Sequence, residues 1–201
     1  MKLKCESFDF DSDFSQVELS FNDSSYLDVS VFGQKNNKTV ADTINHKRYE
    51  KFKEHIQTNY PESLEEPLGL FLLRLKNNGD DFYKCFLNKY GDKAYSIFFI
   101  SNPAYFEMKG VYMYMSGNEV KYIGRCKDSM KKRINQGYGK IHPKNCYLDG
   151  QTTNCHINSM ITEASNKVTL WLCEMQILSE IEIIEKELIR TYKPEWNIQR
   201  S

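Results

Sequence analysis

The chain has no apolar run long enough to cross a bilayer. Its longest, Leu68–Leu75, is eight residues and carries Arg74, against the roughly 20 that a spanning helix requires. Met1–Ser7 holds no apolar stretch of signal-peptide kind. Repeats and low-complexity tracts are absent, and so is the G-x-x-x-x-G-K-[ST] loop, which sets nucleotide hydrolysis aside. The six cysteines are never in close C-x-x-C pairs. A chain of 201 residues buries a core without disulfides, so reduced thiols in a cytoplasmic protein are expected. His142, Cys146, Cys155 and His156 form a loose cluster with Cys126 nearby. Eight residues separate Cys146 from Cys155, and Cys155 and His156 are adjacent, a spacing that argues for buried thiols over structural zinc.

Net charge is also absent, with 27 Lys and Arg against 27 Asp and Glu. The sum hides an asymmetry. Residues 1–108 carry 13 basic against 17 acidic side chains, a net of −4, and residues 109–201 carry 14 against 10, a net of +4. Between Arg125 and Lys144 lie seven basic residues, with Asp128 alone opposing them. Clustering of this kind supplies phosphate contacts, although on charge alone a solvated basic helix face explains it equally well.

What is present reads as α/β in two parts, 1–107 and 108–201. In the first, the alternation of Gln16–Phe21 and Tyr26–Phe32 predicts a β-hairpin. Ala41–Tyr60 predicts one helix stopped by Pro61, further helical pieces fall at Leu68–Lys76 and Asp80–Tyr90, and Ala94–Ile100 is a short strand. No chemical motif stands out there. In the second part, Gly110–Met115 and Glu119–Gly124 flank a Gly117-Asn118 turn. Period-two alternation puts Tyr112 and Tyr114 on one face and Val111, Met113 and Met115 on the other. A helix capped by Asp128 or Ser129 runs to about Gln136. It is followed by a looped region, a helix near His156–Ala164, a strand at Val168–Cys173, and a final helix from Gln176 to about Thr191 striped by Ile177, Ile181, Ile184 and Leu188.

Gly110-Val111-Tyr112 and, after nine intervening residues, Tyr122-Ile123-Gly124 resemble the paired tripeptides of the GIY-YIG nucleases. Arg133, then Glu185, then Asn197 in Lys193-Pro-Glu-Trp-Asn197 follow in that family's order. The resemblance covers about residues 109–201 and leaves the first hundred unmatched. It departs in three places: Arg133 lies one residue further from the second glycine than in compact members, Gly137 and then Tyr138 stand where a His or Tyr often follows one helical turn after the arginine, and the stretch from Arg133 to Glu185 is longer. The resemblance implies a small, mainly antiparallel three-stranded sheet flanked by helices, preceded by a mixed α/β extension.

It also implies a metal-dependent endonuclease acting on double-stranded DNA, site-specific and homodimeric on its substrate. Phosphodiester hydrolysis needs an activated water, a clamp on the phosphate and help for the departing 3′ oxygen. By resemblance, Glu185 holds Mg²⁺ or Mn²⁺ and Arg133 clamps the phosphate. Tyr112 is the candidate base on an exposed face, Tyr122 orients water or phosphate, and Asn197 fixes geometry. Arg125, Lys131, Lys132, Tyr138, Lys140 and Lys144 are the candidate DNA contacts. A structure-selective repair nuclease and a non-catalytic DNA-binding module are the alternatives. Taken singly, each tyrosine is an ordinary sheet aromatic and Glu185 an ordinary helix carboxylate; only their order argues for chemistry.

Overall fold

The computed structural model describes residues 2–5, 8–22, 31–35, 38–164 and 167–198, with side chains from Asp13 onward. The strands are β1 (Lys2–Cys5), β2 (Phe8–Asp13), β3 (Ser15–Val17), β4 (Leu19–Phe21), β5 (Phe98–Ile100), β6 (Gly110–Ser116), β7 (Glu119–Cys126) and β8 (Val168–Glu174). The α-helices are α1 (Val40–Ile44), α2 (Lys53–Asn59), α3 (Leu68–Asn77), α4 (Pro143–Cys146), α5 (Thr152–Ala164) and α6 (Leu178–Tyr192). The chain is therefore α/β with antiparallel sheets. Among the described residues no helix is long and apolar enough to cross a membrane.

The chain divides into two compact units, one of residues 1–25, 96–140 and 157–201, the other of 26–95 and 141–156. A single boundary near residue 108 does not describe this interleaving.

In the first unit a four-stranded antiparallel sheet runs in the order β3-β8-β6-β7. The expected three strands are β8, β6 and β7; the fourth, Ser15–Val17, is an N-terminal segment that pairs with β8 through Gln16 opposite Trp171. Leu19–Phe21 pairs instead with β5, so the segment expected to be one hairpin arm serves two sheets. Residues 26–30 of the other arm lie outside the described residues, and Val31–Gly33 forms a 3₁₀ turn.

Both faces of β6 are buried. Tyr112 and Tyr114 join Tyr122, Tyr138, Leu170, Leu172 and Trp196 in one core layer. Val111, Met113 and Met115 join Ile123, Ile181, Ile184 and Leu188 in another, beneath α6. The alternation read from sequence sorts these residues correctly, but the tyrosine face is not exposed. Ile177 caps α6 and is 54 % exposed, so the stripe begins at Ile181. The outer edge of β7 is closed by the following chain: Trp196 N donates to Lys121 O at 2.9 Å, and the Asn197 amide accepts from Ile123 N at 3.0 Å and donates to Ile123 O at 2.8 Å.

In the second unit, Phe32, Ile44, Tyr49, Ile56, Phe71, Leu75 and Phe86 pack with Ile141, Cys146 and Tyr147. The helix expected over 41–60 is broken. Thr39 caps α1 in a capping box with Asp42, the chain turns after Asn45, and helix resumes only at Glu50–Asn59. A local alternative to the helix is available at His46, whose side chain accepts from Arg48 N at 3.4 Å. The helix at Leu68 is as expected; Asp81–Phe86 is 3₁₀.

Gly110 has φ of 140°, and a Cβ there would lie 2.0 Å from Cys173 O and 2.9 Å from Met175 N. Only glycine allows β6 to enter the sheet this close to β8. Gly110→Ala is therefore expected to destabilise the chain by about 3 kcal/mol, toward the upper end for one substitution. Urea unfolding checks this, and a loss below about 0.5 kcal/mol would contradict the packing described.

Candidate functional site

The tyrosines of the hairpin form a closed cluster. Tyr112 sits opposite Gly124, and Tyr114 opposite Tyr122. A Cβ on Gly124 would lie 2.5 Å from Tyr112 Oη and 2.6 Å from its ring carbon Cζ, so this glycine is the space that the Tyr112 ring occupies. Tyr138 is the hub. Its hydroxyl is 2.9 Å from that of Tyr112 and 3.1 Å from that of Tyr122, and all three side chains are buried. Tyr114 is 0 % exposed, and its hydroxyl finds no hydrogen-bond partner among the described residues.

Tyr138 is delivered by a π-helix, Lys131–Tyr138. Its i→i+5 bonding, as from Gly139 N to Ile134 O at 2.6 Å, brings residues five apart onto one face. Arg133 and Tyr138, five apart, therefore act on the same tyrosines: the Arg133 charge reaches Tyr112, Tyr114 and Tyr138. The extra residue between arginine and tyrosine is absorbed by the wider turn. Asn135 pins this helix to β5, accepting from Ile100 N at 2.8 Å and donating to Ile100 O at 3.0 Å, and Asn158 Nδ2 donates to Tyr138 O at 2.6 Å.

Electrostatics run against a phenolate. Burial pushes Tyr112 well above the ordinary phenol value, the Tyr138 and Tyr122 hydroxyls add to that, and Arg133 only partly opposes it. Burial does the same to Tyr114 and Tyr122. Desolvation outweighs one nearby cation here. Tyr112 is thus a neutral, buried hydroxyl, contrary to the expectation of an exposed base. Tyr138, expected at a DNA surface, is inside the cluster.

Glu185, on α6, faces β7. Its Oε2 is ion-paired with Arg125 Nη1. The Glu185 side chain is 14 % exposed. Burial raises its pKa while Arg125 pulls the other way, so the carboxylate depends on its partner. Arg125 reaches Glu182 as well, at 3.8 Å, and Lys127 binds Glu182 at 2.7 Å. Neither Tyr114 nor Glu182 was singled out from sequence. Same-face alternation pointed to the first, whereas Glu182, among many helix carboxylates, carried no distinguishing signal.

The remaining basic residues separate. Lys131, Lys132, Arg133 and Lys140 are exposed in the first unit, and Lys144 is exposed in the second. Lys131 Nζ lies 4.9 Å from the Phe106 ring centre, and Lys132 pairs with Asp128 at 2.8 Å. The structure therefore brings together Tyr112, Tyr122, Tyr138 and Arg133, pairs Arg125 with Glu185, and uses Asn197 to hold the backbone of Ile123 beside Tyr122.

No group of three or more His, Cys, Asp or Glu side chains is placed to hold a metal ion among the described residues. A hard cation that keeps its waters and takes one carboxylate plus phosphate oxygens needs no such group. Glu185 fits that donor set if Arg125 moves aside. No family model, curated protein or solved structure matches the chain.

Tyr112, Tyr114 and Tyr122 generate a pH dependence. Their folded pKa values lie above the unfolded value of about 10, so their contribution to stability is complete below pH 10 and lost as pH rises beyond it. The unfolding temperature is expected to hold to about pH 9.5 and then fall, with Tyr122→Phe flattening that fall. Tyrosinate absorbance appearing for all tyrosines while the fold persists at pH 10.5, about half a unit above the free phenol, would contradict the buried cluster.

Proposed function

We propose that this chain is a metal-dependent endonuclease of GIY-YIG type that hydrolyses phosphodiester bonds in double-stranded DNA. The observation that carries the reading is the gathering of Tyr112, Tyr122, Tyr138 and the permanently charged Arg133 about one hairpin. Arg133 clamps the scissile phosphate with its planar donors. The tyrosine hydroxyls, linked through Tyr138, orient the attacking water by hydrogen bonding. Glu185 would hold the divalent ion, which when bound supplies charge neutralisation to the phosphate and the departing oxygen. Arg125, Lys131, Lys132 and Lys140 are the phosphate contacts in this reading. Site specificity, a homodimer for cutting both strands and a cytoplasmic location belong to the same proposal; five free thiols among the described residues favour the last.

Two observations favour a second reading, a DNA-binding module without turnover. Glu185 is engaged by Arg125, and Tyr112 is closed from solvent.

The test is incubation of linear, supercoiled and branched DNA with wild type, Arg133→Ala and Glu185→Gln, in Mg²⁺, Mn²⁺ or EDTA. Glutamine keeps an oxygen for the Arg125 donors, so folding is retained. Wild type is expected to yield metal-dependent fragments, with the single-turnover rate falling by about 100-fold or more in Arg133→Ala and no cleavage by Glu185→Gln. Cleavage in EDTA, or by Glu185→Gln at the wild-type rate, overturns the metal role. Binding to every DNA form with no cleavage selects the second reading, and cleavage of branched DNA alone selects a structure-selective nuclease.

A further inference from the structure

Cys146 and Cys155 face each other in the core of the second unit with their sulfurs 3.8 Å apart. Both are 0 % exposed. They come from separate elements, Cys146 ending α4 and Cys155 lying in the first turns of α5. The Cys146 thiol lies 3.8 Å from both the His142 carbonyl and the Tyr95 hydroxyl. Both cysteines are unbridged. We propose that Cys146 and Cys155 are a covalent modification site, a dithiol that hydrogen peroxide oxidises to an intramolecular disulfide.

The geometry is close to that product. A disulfide needs sulfurs about 2.05 Å apart, so closure takes less than about 2 Å of movement, divided between two side chains. Cys146 is followed by Tyr147 in extended conformation, where α4 has already ended, and eight residues separate the cysteines, so the new ring is short and its closure entropy small. The environment also distinguishes the partners: contact with the Cys146 sulfur draws Cys155 below the usual thiol range, whereas Cys146 is pushed up by the same contact and by burial. Cys155 is the nucleophile and Cys146 the resolving thiol.

The reaction balances in two steps. The Cys155 thiolate attacks one peroxide oxygen, the O–O bond breaks, and the products are Cys155 sulfenic acid and hydroxide, which takes a proton to become water. The Cys146 sulfur then attacks the sulfenic sulfur; the S–S bond forms, the S–O bond breaks, and the hydroxyl leaves with the Cys146 proton as a second water. Two thiols are oxidised and one peroxide is reduced. Burial keeps out bulky disulfide reagents and leaves a small peroxide as the suitable oxidant. Two buried thiols acting only as small apolar fillers would not react as a pair.

The experiment uses the full chain, reduced and desalted, treated with hydrogen peroxide, alkylated to block remaining thiols, and digested without reductant for mass spectrometry. The expected result is a linked peptide pair joining Cys146 to Cys155, lighter by two hydrogen atoms and separated again by dithiothreitol. In Cys146→Ala, Cys155 should be trapped as sulfenic acid by dimedone. Because a core variant can fail to fold, the wild-type peptide map decides alone. Cys146 and Cys155 both recovered alkylated after peroxide, or bridged to Cys5 or Cys85 in preference to each other, overturns the proposal.

Discussion

Burial of β6 on both faces is the constraint on which the first unit depends. A strand with β8 on one side, β7 on the other, α6 beneath and a tyrosine layer above leaves no side chain of Gly110–Met115 in water. Both motif glycines answer to that crowding. Gly110 removes a side chain where the Cys173 carbonyl approaches, and Gly124 removes one where the Tyr112 ring lies. The same burial keeps Tyr112 protonated, so the feature that makes the hairpin recognisable also removes the simplest account of its first tyrosine. What remains to the hydroxyls is hydrogen bonding, a role that a neutral phenol fills well in a low-dielectric site.

The closing elements of the chain serve the edge of β7. Along that edge Trp196 satisfies Lys121, Asn197 satisfies both backbone groups of Ile123, and Glu185 takes the side chain of Arg125. Residues assigned to chemistry by their order in sequence therefore also hold a strand edge that would otherwise be open. The two roles are compatible. An amide that grips Ile123 fixes the neighbouring Tyr122, and a carboxylate placed by the sheet is a positioned one. Arg125 is the pivot between them, since the charge that satisfies Glu185 in the free protein is also one that phosphate would attract.

Much of this was legible in advance where periodicity was strong. The hairpin, its turn at Gly117, the sorting of tyrosines from methionines, the strand at 168 and the final helix follow from alternation and heptad-like spacing. Solvent was the missing variable: alternation tells which residues share a face but not what covers it, and Tyr112 and Tyr138 were placed outside because neither Trp196 nor the residues from α5, both remote in sequence, could be seen to cover them. The N-terminal strand Ser15–Val17 joins the sheet through Leu170–Leu172, more than 150 residues away, a pairing that no local pattern encodes. The interruption of Ala41–Tyr60 likewise turns on a side chain competing with the helix at His46, where the apolar spacing continues undisturbed.

The π-helix has a consequence for how such a site changes over generations. One residue gained inside an α-helix ordinarily rotates everything beyond it by about a quarter turn and uncouples the two ends. Widening a single turn absorbs the extra residue locally, leaving Arg133 and Tyr138 aligned and both anchors, Ile100 through Asn135 and Tyr138 O through Asn158, in register. The segment can thus lengthen or shorten by one residue without passing through an intermediate in which arginine and tyrosine point apart, and the spacing between them is a poorer marker of kinship than the face they share.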